Sequence, residues 1–174
     1  MNKSICQIVD SSGSLPRDFL KRHKISEVPF YFKFEGPGYG RENVELSGAE
    51  FYGHMEEYPD EVPQTSCPNI YDWIAVFEEQ YAAGARDFIV TTISSKLSSS
   101  HQTAASAKAI FTEEHADVRV EVIDTNTCAC GQAAFEIGIA GMLESGAGFE
   151  KTVETARKLV PGISTLFAVN SLKY

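Results

Sequence analysis

Asp87-Phe88-Ile89-Val90-Thr91-Thr92-Ile93-Ser94-Ser95-Lys96-Leu97-Ser98-Ser99-Ser100-His101 decides the fold. Phe88 to Ile93 is an uncharged run rich in β-branched residues, the composition of a strand buried on both faces. A serine cluster follows, and then an alanine-rich stretch predicts a helix from about Ser98 to Glu114. A strand that passes through a polar loop into a helix is the repeating step of an α/β fold.

The flanks repeat that step. Upstream, Ser66 stands as an N-cap with Pro68 in the first turn. Ile70, Trp73, Ile74, Phe77 and Tyr81 then fall at helical spacing, and Gly84 closes the helix. Downstream, Val118 to Ile123 reads as a strand ending at Asp124-Thr125, followed by helices over 130–144 and 149–160. Pro161-Gly162 breaks the second helix, and Ile163 to Leu172 begins another strand. Near the N-terminus, Ser4 to Val9 is a strand ending at Asp10-Ser11-Ser12-Gly13-Ser14, and Pro16 opens a short helix. Ile25 to Phe34 reads as a second strand, broken by Gly36-Pro37-Gly38-Tyr39-Gly40. Ser47 and Glu50 have capping-box spacing, which predicts a helix to about Tyr58. The order predicts an α/β fold with a mostly parallel sheet and helices on both faces.

Polar segments follow three of the predicted strands, at 10–14, 94–100 and 124–127. In open parallel sheets the ligand crevice lies beyond the carboxyl ends of the strands, so these segments should converge on one site. Hydroxyls and N–H groups at helix starts can hold a carboxylate without a full counter-charge. Thr65, Ser66, Ser94, Ser95 and Ser98 are placed for this. Ser66 and Ser98 read first as helix caps, with ligand contact second. Asp10 reads equally as a ligand-orienting group and as an Asx-turn. Ser11 and Thr125 are supporting positions, and Asp124 favours a structural role.

The 174 residues carry a formal net charge of −9, with 43% hydrophobic and 22% charged content. Those values suit a folded α/β domain and argue against nucleic acid, whose phosphates need basic patches. Cys6, Cys67, Cys128 and Cys130 show no CxxC spacing, so neither a disulfide framework nor a zinc site is expected. Cys67, near a helix N-terminus, reads first as a partly buried inert thiol and second as a redox group, and Cys128 and Cys130 alternate around Ala129 in a close-packed turn beside a glycine, a spacing too weak for a metal. No apolar run approaches the ~20 residues of a membrane span, and the first apolar run is too short for a signal peptide. No stable membrane insertion is expected, and the expected compartment is the cytoplasm. No Gly-x-Ser-x-Gly elbow, Walker A or Gly-x-Gly-x-x-Gly pattern occurs. The catalytic alternative is a hydrolase or phosphotransferase built on the serine-rich loops and His101. Against it, His101 reads as a solvated first-turn residue, and His23, His54 and His115 read as exposed, with no metal spacing.

The same segments carry a family resemblance. Ile8-Val9-Asp10-Ser11-Ser12-Gly13-Ser14-Leu15-Pro16, Val28-Pro29, Thr65-Ser66-Cys67-Pro68, Ile93 to Ala104, Ile123-Asp124-Thr125 with Gly131-Gln132, and Ser171-Leu172-Lys173-Tyr174 occur in order along nearly the whole chain. Together they resemble the DegV family. The resemblance implies a two-lobed protein with a fatty acid in a tunnel between lobes. Residues 1–162 would form the N-terminal α/β lobe and 163–174 the start of a second lobe that is largely missing. It implies a non-catalytic carrier without cofactor, of a family in which some members present the bound carboxylate to a separate fatty acid kinase that makes acyl phosphate. It assigns carboxylate binding to Thr65 and to Ser94 or Ser95, without choosing between the serines. Lys96 and Ser99-Ser100-His101 depart from the glycine-containing pattern of the family at this loop. The glycine-arginine segment and later histidine of the family's second lobe have no counterpart here.

Overall fold

The computed structural model describes residues 4–35 and 40–169. Its main sheet is parallel throughout. β1 (Ser4–Asp10) lies between β2 (Ser26–Val28) and β6 (Ala85–Thr92), and β7 (Arg119–Asp124) completes the order β2-β1-β6-β7. Ile8 stands opposite Ser26 on one side and Val90 on the other. A second, antiparallel sheet has the order β4-β3-β5, formed by Tyr31–Lys33 (β3), Gly40–Arg41 (β4) and Gln64–Ser66 (β5).

Among the described residues six α-helices complete the fold: α1 (Arg17–His23), α2 (Gly48–Glu57), α3 (Ile70–Ala82), α4 (Ser100–Glu114), α5 (Ala129–Glu144) and α6 (Phe149–Leu159). Side chains alternate across β6, so Phe88 and Val90 enter one core and Ile89 the other. The first core takes Trp73 and Phe77 from α3 and Phe111 from α4. There the Phe77, Phe88 and Phe111 rings pack with centroids 5.3–6.0 Å apart. The second takes Phe135 and Ile139 from α5 and Ala156 from α6. Each large apolar side chain fully buried this way contributes about 1.5–3 kcal/mol. The predicted arrangement of a parallel sheet with helices on both faces therefore holds.

Three expectations need correction. The run Ile25 to Phe34 is two strands in two sheets. Pro29 has no N–H to give a ladder, and the Phe30 N–H donates to Ser11 Oγ at 2.9 Å instead. Tyr31 is thereby released to pair with Ser66 and Arg41. Ser66 is consequently a strand residue and not a cap. Asn69 caps α3 instead, accepting from the Tyr71 and Asp72 N–H groups, and the Asp72 carboxylate returns a bond to the Asn69 N–H at 2.7 Å. Residues 163–169 form no strand; Thr165 instead docks on α5, donating to Cys128 O at 3.0 Å. Residues 36–39 of the predicted glycine break, and 170–172 of the predicted last strand with the rest of the Ser171–Tyr174 motif, lie outside the described residues. The Ser47–Glu50 capping box forms as its spacing predicts.

Candidate functional site

The three polar segments meet at the carboxyl end of the main sheet. Asp10, 1% exposed, is the hub. Its Oδ2 accepts from the Ile93 N–H at 2.9 Å and from Ser100 Oγ at 2.7 Å. Its Oδ1 accepts from Gln132 Nε2 at 2.8 Å and from the Ser12 hydroxyl. One carboxylate thus ties the turn after β1 to both ends of the β6–α4 loop and to α5. The Ser94 N–H donates to Thr127 O at 2.8 Å, and Thr125 Oγ1 to Thr92 O at 2.8 Å, which fastens the 124–127 segment beside the same loop.

Behind Asp10 lie Gln132, known from the sequence only as part of a motif, and Glu136, which sequence reasoning missed. Gln132 Nε2 bridges Asp10 to Glu136 Oε1, 2.9 Å away, and Thr91 Oγ1 donates to the same oxygen at 3.1 Å. Glu136 Oε2 is buried without a hydrogen-bond partner. Burial pushes its carboxyl well above the ordinary glutamate range, and the Asp10 charge adds to the rise against the Gln132 and Thr91 hydrogen bonds. The sequence held a signal for it: Gln132, Phe135, Glu136, Ile139 and Ala140 form a buried stripe, with a charged residue at its centre.

Beside this hub a pocket of about 310 Å³ opens between the two sheets. Phe30, Phe32, Leu46, Phe51 and Ile93 form apolar walls, and Ser12, Glu42, Ser47 and Thr65 are polar residues among them. Among the described residues no Lys, Arg or His lines it. A carboxylate held here would depend on hydroxyl and N–H donors.

The predicted site residues divide. Thr65, on β5, lines the pocket with Ser12 and Ile93. Ser94 is buried, and its hydroxyl accepts from the Lys96 N–H at 3.3 Å, so its own proton is left to donate. Ser95 is exposed, and its N–H donates to the Asp124 carboxylate at 3.2 Å. Ser11 donates to Glu42 at 2.6 Å. Ser66 is exposed on β5, and Ser98 is not the cap its sequence predicts: α4 takes Ser99 as N-cap, and Ser98 Oγ, one residue before it, accepts from the Ser100 N–H at 3.2 Å in a local turn. Thr125 and Asp124 hold backbone. His101, read as solvated, is half-buried with Nδ1 3.3 Å from Thr92 Oγ1. His23, His54 and His115, read as exposed, are half-buried, because each ring packs on aromatic neighbours and meets a carboxylate. The predicted close packing holds at Gly131, where a Cβ would collide with the Thr127 and Thr165 hydroxyls, but not at Cys130, which is exposed on α5.

These features define an α/β domain with an apolar pocket, lined by no cationic side chain among the described residues, beside the carboxyl ends of its parallel strands. The model of the DegV family of uncharacterised proteins matches residues 4–174, and the chain belongs to that family. A DegV domain-containing protein of Clostridium acetobutylicum is 26% identical over 172 residues, covering 99% of this chain and 59% of that protein. Among solved structures, a stearic-acid-binding protein from Eubacterium ventriosum is 28% identical with a TM-score of 0.83, over 88% of this chain and 52% of its own. A fatty-acid-binding DegV protein from Thermus thermophilus is 27% identical with a TM-score of 0.77, over 90% of this chain and 53% of its own. The chain therefore spans little more than half the length of these relatives. No helix among the described residues is long and apolar enough to cross a membrane.

Proposed function

We propose that this chain is the first lobe of a fatty-acid carrier and that Thr65 and Ser94 hold the ligand's carboxylate. The supporting observation is the apolar pocket, with no cation among its described residues, Thr65 in its wall and the Asp10-anchored loop at its edge, in a chain 28% identical to a stearic-acid-binding protein. Ser94 is chosen over Ser95 because it directly follows pocket-lining Ile93 and keeps a proton to give from a buried position, whereas Ser95 is exposed and its N–H is taken by Asp124. The acyl chain gains about 0.8 kcal/mol per buried methylene, and the hydroxyls fix one end. Residues 1–162 form this lobe, and 163–174 lead into a second that completes the tunnel. The protein carries the lipid without transforming it and presents its carboxylate to a separate fatty acid kinase. All four cysteines are free, which fits work in the reducing cytoplasm.

Native mass spectrometry tests the reading on this chain and on a version continued to the length of its relatives. A mass excess matching a fatty acid on the longer form is expected, and its absence from both forms sinks the proposal. Thr65→Ala should weaken binding by about 1.5–3 kcal/mol, the loss of one hydrogen bond to a charged group. Unchanged affinity by calorimetry would clear Thr65 of the role, and Ser94→Ala beside Ser95→Ala decides between the serines.

A further inference from the structure

Glu42 stands in the wall of this pocket, where no described residue is cationic, and faces the space a lipid would fill. It follows β4, while Thr65 lies on β5, and the two strands flank β3 on opposite sides, Phe32 pairing with Gly40 and with Thr65. At about 4.8 Å per strand spacing, the two polar residues stand on the order of 10 Å apart. Ser11 Oγ accepts the Phe30 N–H, so its proton points at Glu42 Oε2, 2.6 Å away.

The charged surroundings are mostly acidic. Asp10 lies behind Ser11 on β1, Glu27 on β2, and Glu136 beyond Asp10 on α5. Arg17, from α1, is directed to Glu27 at 3.8 Å and to the Asn43 carbonyl. Arg41 is bound by Glu45 at 3.0 Å, and the Tyr31 hydroxyl donates to Asp72 at 2.8 Å. Burial already pushes the Glu42 carboxyl up. The Ser11 hydrogen bond draws it back, and the Asp10 charge adds to the rise.

An apolar chain entering the pocket strips water from Glu42, and desolvation disfavours the charged form of a carboxyl. A second carboxylate brought to that wall would meet like charge as well. Resting on the fatty-acid reading, we propose that Glu42 orients the ligand, turning its carboxylate away toward Thr65, and enters the complex as the neutral acid, so that filling the pocket takes up a proton.

The test is calorimetry from pH 5.5 to 8.5, in buffers of different ionisation enthalpy. It uses whichever form of the protein retains lipid, with oleic acid and with oleyl alcohol as an uncharged probe. Net proton uptake is expected with the alcohol, which has no ionisation of its own, and affinity for it should fall as pH rises, by at most about tenfold per unit for one proton; with oleic acid, whose own carboxyl also exchanges protons, wild type should take up one proton more than Glu42→Gln. Glu42→Gln keeps an acceptor for Ser11; it should abolish the uptake with the alcohol and bind more tightly than wild type at pH 8.5. Glu42→Asp, which retains the acid, should restore uptake and guards against misfolding as the explanation. Binding of the alcohol by wild type without proton uptake, or uptake with the alcohol that persists in Glu42→Gln, overturns this inference alone. Failure of wild type to bind either lipid overturns the fatty-acid reading and this inference together.

Discussion

Glu27 sits where a carboxylate is disfavoured. Its side chain is 7% exposed and its Oε1 has no hydrogen-bond partner. Burial raises its pKa to about 7, against the pull of Arg17. Between the ordinary glutamate value of 4.5 and about 7, the folded state therefore holds a proton that the unfolded chain has released. The protonated form's stability is present below that window and is lost as pH rises through it. Glu27→Gln should stabilise the fold by about 1–3 kcal/mol at pH 8 and by little at pH 4, measured by urea unfolding at both values. An equal effect at the two pH values would contradict the assignment. Asp10 stood out at this scale because it ends a strand before a serine run, but its reading was divided between ligand orientation and an Asx-turn, and neither describes the hub that joins the β6–α4 loop to α5. Glu27 and Glu42 did not stand out, since their burial depends on partners far along the chain. Glu136 left a trace as a charge on a buried helical stripe.

Elements were most legible where their signal is local. The apolar stripe of α3 and the Ser47–Glu50 capping box realise their sequence patterns almost residue for residue, because a helix satisfies itself within a few positions. Strands differ. Ile25 to Phe34 has one continuous composition, yet its halves serve two sheets, and only Pro29 marks the division. The three strands of the small sheet are two or three residues long, too short to show a period. The pairing that brings Phe32 and Thr65 into one pocket wall was hidden for that reason. Gly131 offers a test of how the 163–165 segment is held. Gly131→Ala should force Thr165 and Thr127 apart and destabilise by about 1–3 kcal/mol, read as a lower thermal midpoint. An unchanged midpoint would mean that this docking carries little stability.

Across the whole molecule, the alternation of strands and helices was enough to predict a parallel sheet and the end of it where a ligand binds. It could not supply the strand order β2-β1-β6-β7, which puts β1 beside a strand from the other half of the chain. Ile8 meets Val90 across that junction, 82 positions further on. Closing so long a loop precedes any gain from the pairing, so refolding should be slow, in the range of milliseconds to seconds. Trp73, fully buried in the core that the pairing completes, is the only tryptophan and reports it by stopped-flow fluorescence. Microsecond refolding would argue against this topology. During synthesis the same junction imposes a wait. At about 5–20 residues per second, β1 spends roughly 4–16 s outside the ribosome before its central neighbour is made. For that interval the Ile5–Val9 run is an unpaired apolar edge, and a nascent chain in that state is where chaperone capture or aggregation would begin.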